Sequence, residues 1–161
     1  MRRSWAHSAL ALALLALASA VSAQTPRLGV RVQLAQMSSS GGLSGSAFVP
    51  VPPSATSFAA GECPTTSATG RLPRGPMRMI RVVISGPHTS RDVEIGTACG
   101  QAQLSIELED GTTLDAERGT LHLEVDRAAG RMRGALSVTS TRNGEPIAIR
   151  GSLELALPAG A

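Results

Sequence analysis

The sequence predicts an all-β protein, a single-domain antiparallel β-sandwich or small, partly open barrel that ends in a β-meander. Three observations carry this expectation. Apolar residues recur at every second position in short runs, beginning with Leu28, Val30, Val32 and Leu34, which is the period of a strand with one buried face. Clusters of Gly, Pro, Ser and Asn separate those runs, as turns require. No stretch sustains the spacing of an amphipathic helix. About eight strands are expected, enough to fold one sheet over another.

The chain opens on Arg2 and Arg3, continues through the apolar run from Ala9 to Ala18, and reaches Val21-Ser22-Ala23 before Gln24. A basic start, a short apolar stretch and small residues at a cut form a secretory signal peptide, too short for a stable membrane span. Residues 1–23 are therefore expected to leave, with cleavage between Ala23 and Gln24, and residues 24–161 to form one exported β domain of ordinary size. No cysteine stands near the cut, and the ending from Leu155 to Ala161 is too short for a second anchor, so neither a membrane span nor a lipid anchor is expected. Arg2-Arg3-Ser4-Trp5 resembles a twin-arginine start, but the strongly apolar run after it favours the general secretory route.

All 15 basic residues are Arg, and Ala and Gly are abundant, the bias of a GC-rich bacterial genome. That source points to the periplasm or the medium. Without Arg2 and Arg3 the basic side chains nearly balance the 12 acidic ones. Such a balance gives no strong pull toward nucleic acid or anionic membranes. Beyond Trp5, which leaves with the leader, the only aromatic residues are Phe48 and Phe58. Base-stacking surfaces and the aromatic girdles of outer-membrane barrels are thereby excluded, as are the stacking platforms of sugar-binding proteins.

The first strand is expected over Leu28 to Leu34. Residues 37–46 are Ser/Gly-rich and read as a flexible connection, and residues 50–76 as a long ordered loop rich in Pro, Gly and Ser. Strands resume at Met79 to Ser85, Asp92 to Gly96 and Gln103 to Glu109, the last turning Leu104, Ile106 and Leu108 inward. From Gly119 a theme repeats, Gly-Thr-Leu-His-Leu, then Gly134-Ala-Leu-Ser-Val, then Gly151-Ser-Leu-Glu-Leu. Its spacing is too short and its copies too few for a propeller or solenoid. Asn143-Gly144 signals a two-residue type I′ turn, which sets Arg142 against Glu145, Leu136 against Gly151 and Gly134 against Leu153. A four-residue turn over Arg127 to Gly130 sets Met132 against Val125 and Gly134 against Leu123. Every apolar position then falls on one face, and Glu124, Arg133 and Glu154 line up on the other, with Asp126 beside Arg131.

Cys63 and Cys99 are the only cysteines, and in an exported chain a pair is read as a disulfide. It would pin the 50–76 loop. Neither has a C-x-x-C partner or an adjacent His, so redox and metal readings rank below it. His122 is expected outward and solvated on its strand, and His88 as a plain turn residue in Gly86-Pro87-His88. Gly41-Gly42-Leu43-Ser44-Gly45-Ser46 fails the G-x-S-x-G pattern of a strained nucleophile turn. The pairs Glu107/Glu109, Asp115/Glu117 and Glu124/Asp126 are spaced to share a solvated strand face, with nothing to separate their acidities. Met37, Met77, Met79 and Met132 fit core packing better than a copper set. No catalytic, cofactor or metal residue is therefore assigned. Two function classes follow: a non-enzymatic interaction or structural module of the envelope, which binds a protein or its own copy through a sheet edge or the 50–76 loop, and a carrier of a small apolar ligand. A ligand-sized cavity separates them.

Overall fold

The computed structural model describes residues 27–36 and 42–161. The leader, the Ala23–Gln24 cut and residues 37–41 of the Ser/Gly connection lie outside them. The strands are β1 (Gly29–Gln36), β2 (Ser44–Pro50), β3 (Thr56–Ala59), β4 (Thr65–Arg71), β5 (Met77–Ser85), β6 (Arg91–Glu94), β7 (Ala102–Leu108), β8 (Thr113–Asp115), β9 (Arg118–Asp126), β10 (Arg131–Arg142) and β11 (Glu145–Ala156). They form a six-stranded antiparallel sheet in the order β2-β1-β11-β10-β9-β6 and a five-stranded one in the order β3-β4-β5-β7-β8. Neither sheet closes on itself, so the architecture is a sandwich.

The core is what the alternation dictates. Val30, Val32 and Leu34 of β1, Leu121 and Leu123 of β9, and Ile147, Ile149 and Leu155 of β11 meet Ile80 and Ile84 of β5 and Leu104 and Ile106 of β7. Met77 and Met132 are fully buried among them. In the meander the observed pairs are those the two turns impose: Arg142 with Glu145, Leu136 with Gly151, Gly134 with Leu153, and on the other side Met132 with Val125 and Gly134 with Leu123. Asn143 and Gly144 both have positive φ, 52° and 79°, as the type I′ turn needs. At the other turn Asp126 accepts a hydrogen bond from the Ala129 amide at 2.9 Å, and Gly130 supplies a φ of 64°.

Two stretches expected to be irregular contain strands. Residues 44–46 of the Ser/Gly connection begin β2, and the 50–76 loop holds a short 3-10 turn (Pro53–Ala55), β3 and β4. The reason is packing distance. The buried face of β4 is Thr66, Ala68 and Gly70, small because β2 passes close over it: a Cβ at Gly70 would stand 2.7 Å from both the Pro50 carbonyl oxygen and Val49 Cγ1. Small and polar inward residues erase the hydrophobic period by which strands are recognised. β8, three residues long, lies between the strand expected to end at Glu109 and the meander expected from Gly119.

Cys63 and Cys99 are bonded, with Cα atoms 5.7 Å apart, joining the turn before β4 to the turn before β7. Beside them the Arg91 guanidinium donates to the Gly100 carbonyl at 3.0 Å and the Ser85 carbonyl at 2.9 Å. Ile95 bridges Ala102 here, so the rim near β6 is tied to the second sheet.

Candidate binding surface

The outer face of the six-stranded sheet follows from register alone. Residues that point away from the core line up across it, Phe48, Arg31, Ser152, Ala135, His122 and Asp92 in one row. Gly29, Glu154, Arg133 and Glu124 form the next. The face is hollowed into an open groove of about 920 Å³, whose walls include Arg27, Arg31, Phe48, His122, Glu124 and Glu154. Its floor is low because Ser152 and Ala135 are small.

Charge divides this groove. Glu154 is held by Arg131 at 3.1 Å and Arg133 at 3.6 Å. On the β9 and β6 side, His122 Nδ1 meets Asp92 at 2.6 Å and Nε2 lies 3.8 Å from Glu124. The hydrogen bond to Asp92, then its charge, raise the His122 pKa. His122 is thus outward and solvated as expected, but paired. On the β1 side Arg27 and Arg31 have no carboxylate at ion-pair distance among the described residues. The Arg31 guanidinium lies instead over the Phe48 ring, 5.7 Å from its centroid, a cation–π arrangement. Gly29 makes this possible, since a Cβ there would stand 2.5 Å from Phe48 Cζ.

Among the described residues the rim beside Phe48 is an open edge. β2 is terminal in the sheet order. Its pairing with β1 places Val51 and Leu43 in bonded positions, the Val51 amide donating to Leu28 at 3.1 Å and the Leu43 carbonyl accepting from Gln36 at 2.9 Å. Antiparallel alternation then turns the N–H and C=O groups of Ser44, Ser46 and Phe48 away from β1. Among the described residues they have no backbone partner. β2 runs seven residues without a charge, whereas the other edge strands are short: β6 four residues, β3 four and β8 three.

The interior offers little room. A hollow between the sheets, lined by residues such as Val82, Leu104, Leu121 and Leu136, holds about 10 Å³, against several hundred Å³ for a ligand site. An uncharged surface hollow of about 400 Å³ runs between Phe58 and Leu157.

The remaining sequence candidates do not converge. Ser44 and Ser46 lie on β2, four strands from the His122 strand. Glu109 pairs with Arg78 at 3.0 Å, and Asp115 accepts from the Ser105 hydroxyl at 2.5 Å. Met37 lies outside the described residues. His88 departs from expectation: it is buried, 4 % exposed, rather than a plain turn residue. Its Nε2 shares a 2.5 Å hydrogen bond with the Thr66 hydroxyl, and its ring lies 5.4 Å from Phe58. Burial first, then the charges of Arg127 and Arg91, lower its pKa. Its burial escaped the sequence because the strands that cover it, β3 and β4, did too. The edge of β2 escaped for the same reason, although the absence of any charge between Arg31 and Glu62 was there to be read.

No protein-family model, no curated protein and no solved structure matches the chain.

Proposed function

We propose that this protein is a small exported, non-enzymatic interaction module of the bacterial periplasm or extracellular space, which binds another polypeptide by adding an extended segment of it to β2. The observation that carries the reading is the row of open backbone groups at Ser44, Ser46 and Phe48 on a seven-residue edge without charge. Long flat edges are normally blunted by charge, bulges or brevity, because they pair with any strand that meets them. Here β3, β6 and β8 are short, and β2 is uncovered among the described residues, with Pro50 at its end as its one blunting residue. Strand addition of this kind draws affinity from main-chain hydrogen bonds and specificity from alternate side chains.

Export rests on the residue 1–23 pattern and agrees with the disulfide. The carrier alternative is less well supported, the hollow between the sheets among the described residues holding about 10 Å³. The test is hydrogen exchange with native mass spectrometry on protein taken from its own host. A co-purifying polypeptide that slows exchange at Ser44, Ser46 and Phe48, and that a Ser46→Pro variant no longer retains, is the expected result. A retained small molecule, or a polypeptide that leaves those amides unprotected, overturns the reading.

A further inference from the structure

Resting on that strand-addition reading, we propose that the segment β2 accepts carries a carboxylate side chain where it pairs with Phe48, and that Arg31, beside Phe48, is the residue that reads it. Ser44, Ser46 and Phe48 turn both their backbone groups toward the open edge and their side chains toward the outer face. A strand that bonds to them places its own partner side chains on that same outer face. Those side chains arrive beside Phe48.

Arg31 stands one strand further in, opposite Phe48. With strands about 4.8 Å apart, an incoming residue lies roughly 10 Å from the Arg31 backbone, a gap that a long arginine side chain and an incoming carboxylate side chain can close between them; the Arg31 guanidinium rests 5.7 Å from the centroid of the Phe48 ring, whose tip lies over Gly29. Among the described residues its guanidinium has no carboxylate partner, and the planar fork of an arginine suits a carboxylate. Arg27 adds a second positive charge to the same side of the groove.

Among the described residues nothing on this side competes for the position. β2 has no charge, Glu154 is engaged by Arg131 and Arg133, and Glu124 and Asp92 stand with His122 on β9 and β6. An acidic segment meets attraction at β2 and like charge only across the groove. A basic segment meets Arg31 at once. A second copy of the chain, whose β2 carries no carboxylate, gives Arg31 nothing to bind.

The experiment selects from a library of random octapeptides displayed against the purified disulfide-bonded protein, then titrates the selected consensus peptide into the parent, Arg31→Gln, Ser46→Pro and Arg81→Gln forms. Pro at position 46 removes an N–H that faces away from β1, so the fold is retained, which circular dichroism checks. Arg81 is exposed on the other sheet and serves as the control. The expected result is a consensus with one fixed Asp or Glu, binding weakened about tenfold by Arg31→Gln, abolished by Ser46→Pro and unchanged by Arg81→Gln. Binding that Ser46→Pro abolishes but that shows no acidic preference and ignores Arg31→Gln overturns the acidic segment and leaves strand addition standing. Binding indifferent to Ser46→Pro, or no selected peptide at all, overturns both. A concentration-dependent dimer that Ser46→Pro disperses shows that the occupant is a second copy, and overturns the proposed partner.

Discussion

Buried between the Phe58 ring and the Thr66 hydroxyl, with Arg127 and Arg91 close by, His88 is an unfavourable place for a proton. Unfolded, it would take one near its ordinary pKa of 6.5; folded, only at lower pH. Its contribution to stability is therefore complete above that value and declines as pH falls below it. His122 runs the other way. Its pairing with Asp92 raises its pKa, so its contribution is present below 6.5 and is lost as pH rises through the raised value. In a His122→Asn background the denaturant midpoint should fall between about pH 7.5 and about pH 5, and adding His88→Gln should flatten that slope. A slope that survives both substitutions places the sensitive group elsewhere. On the surface, Glu154→Ala removes two partly exposed ion pairs and should cost under about 1 kcal/mol. At this scale the outer-face charges were legible, because cross-strand pairing follows from register. The His88 environment was not, since it depends on Thr66, 22 positions earlier, and on the still more distant Phe58, in strands the hydrophobic period did not reveal.

The meander was legible because its period, its Asn-Gly turn and its cross-strand charges all specify the same pairing. Its inward glycines are not equivalent, however. At Gly134 a Cβ would meet Leu121 Cδ1 at 2.7 Å and Leu153 Cγ at 3.1 Å, both able to turn aside. At Gly151 it would collide with the Arg31 carbonyl oxygen, which belongs to the β1 backbone and has no rotamer to change. The sequence expectation that Gly151 is crowded by Leu136 is therefore replaced by a close approach of β1. Gly134→Ala should cost about 1–3 kcal/mol, and Gly151→Ala should exceed it by separating β1 from β11. Denaturant melts settle the order, and equal costs mean that β1 can shift to make room. β3 and β4 stayed invisible for the opposite reason, the sheet–sheet contact at Gly70 being built from absent side chains.

Across the whole molecule, the Cys63–Cys99 bond closes a loop of sequence separation 36 that contains β4, β5 and β6. In the chain-entropy account this stabilises the fold by about 4 kcal/mol. A Cys63→Ser, Cys99→Ser pair should lower the stability by that order in denaturant melts, and thiol labelling of the denatured, unreduced parent should find neither sulfur free. The order of strands also has a mechanical consequence. β1 and β11 are neighbours running in opposite directions, with Gly29 beside Glu154 and Gln36 beside Ile147. Tension applied between Arg27 and Leu157 therefore enters at one end of the ladder and pulls along its hydrogen bonds, opening them one pair after another. Attached instead at Gln36 and Leu157, the same two strands are dragged lengthwise and must yield together. Single-molecule pulling should find the first geometry compliant and the second stiff. In both, the covalent ring withholds roughly 120 Å of contour length until it is reduced, so the molecule gives way easily at its ends and then stops short.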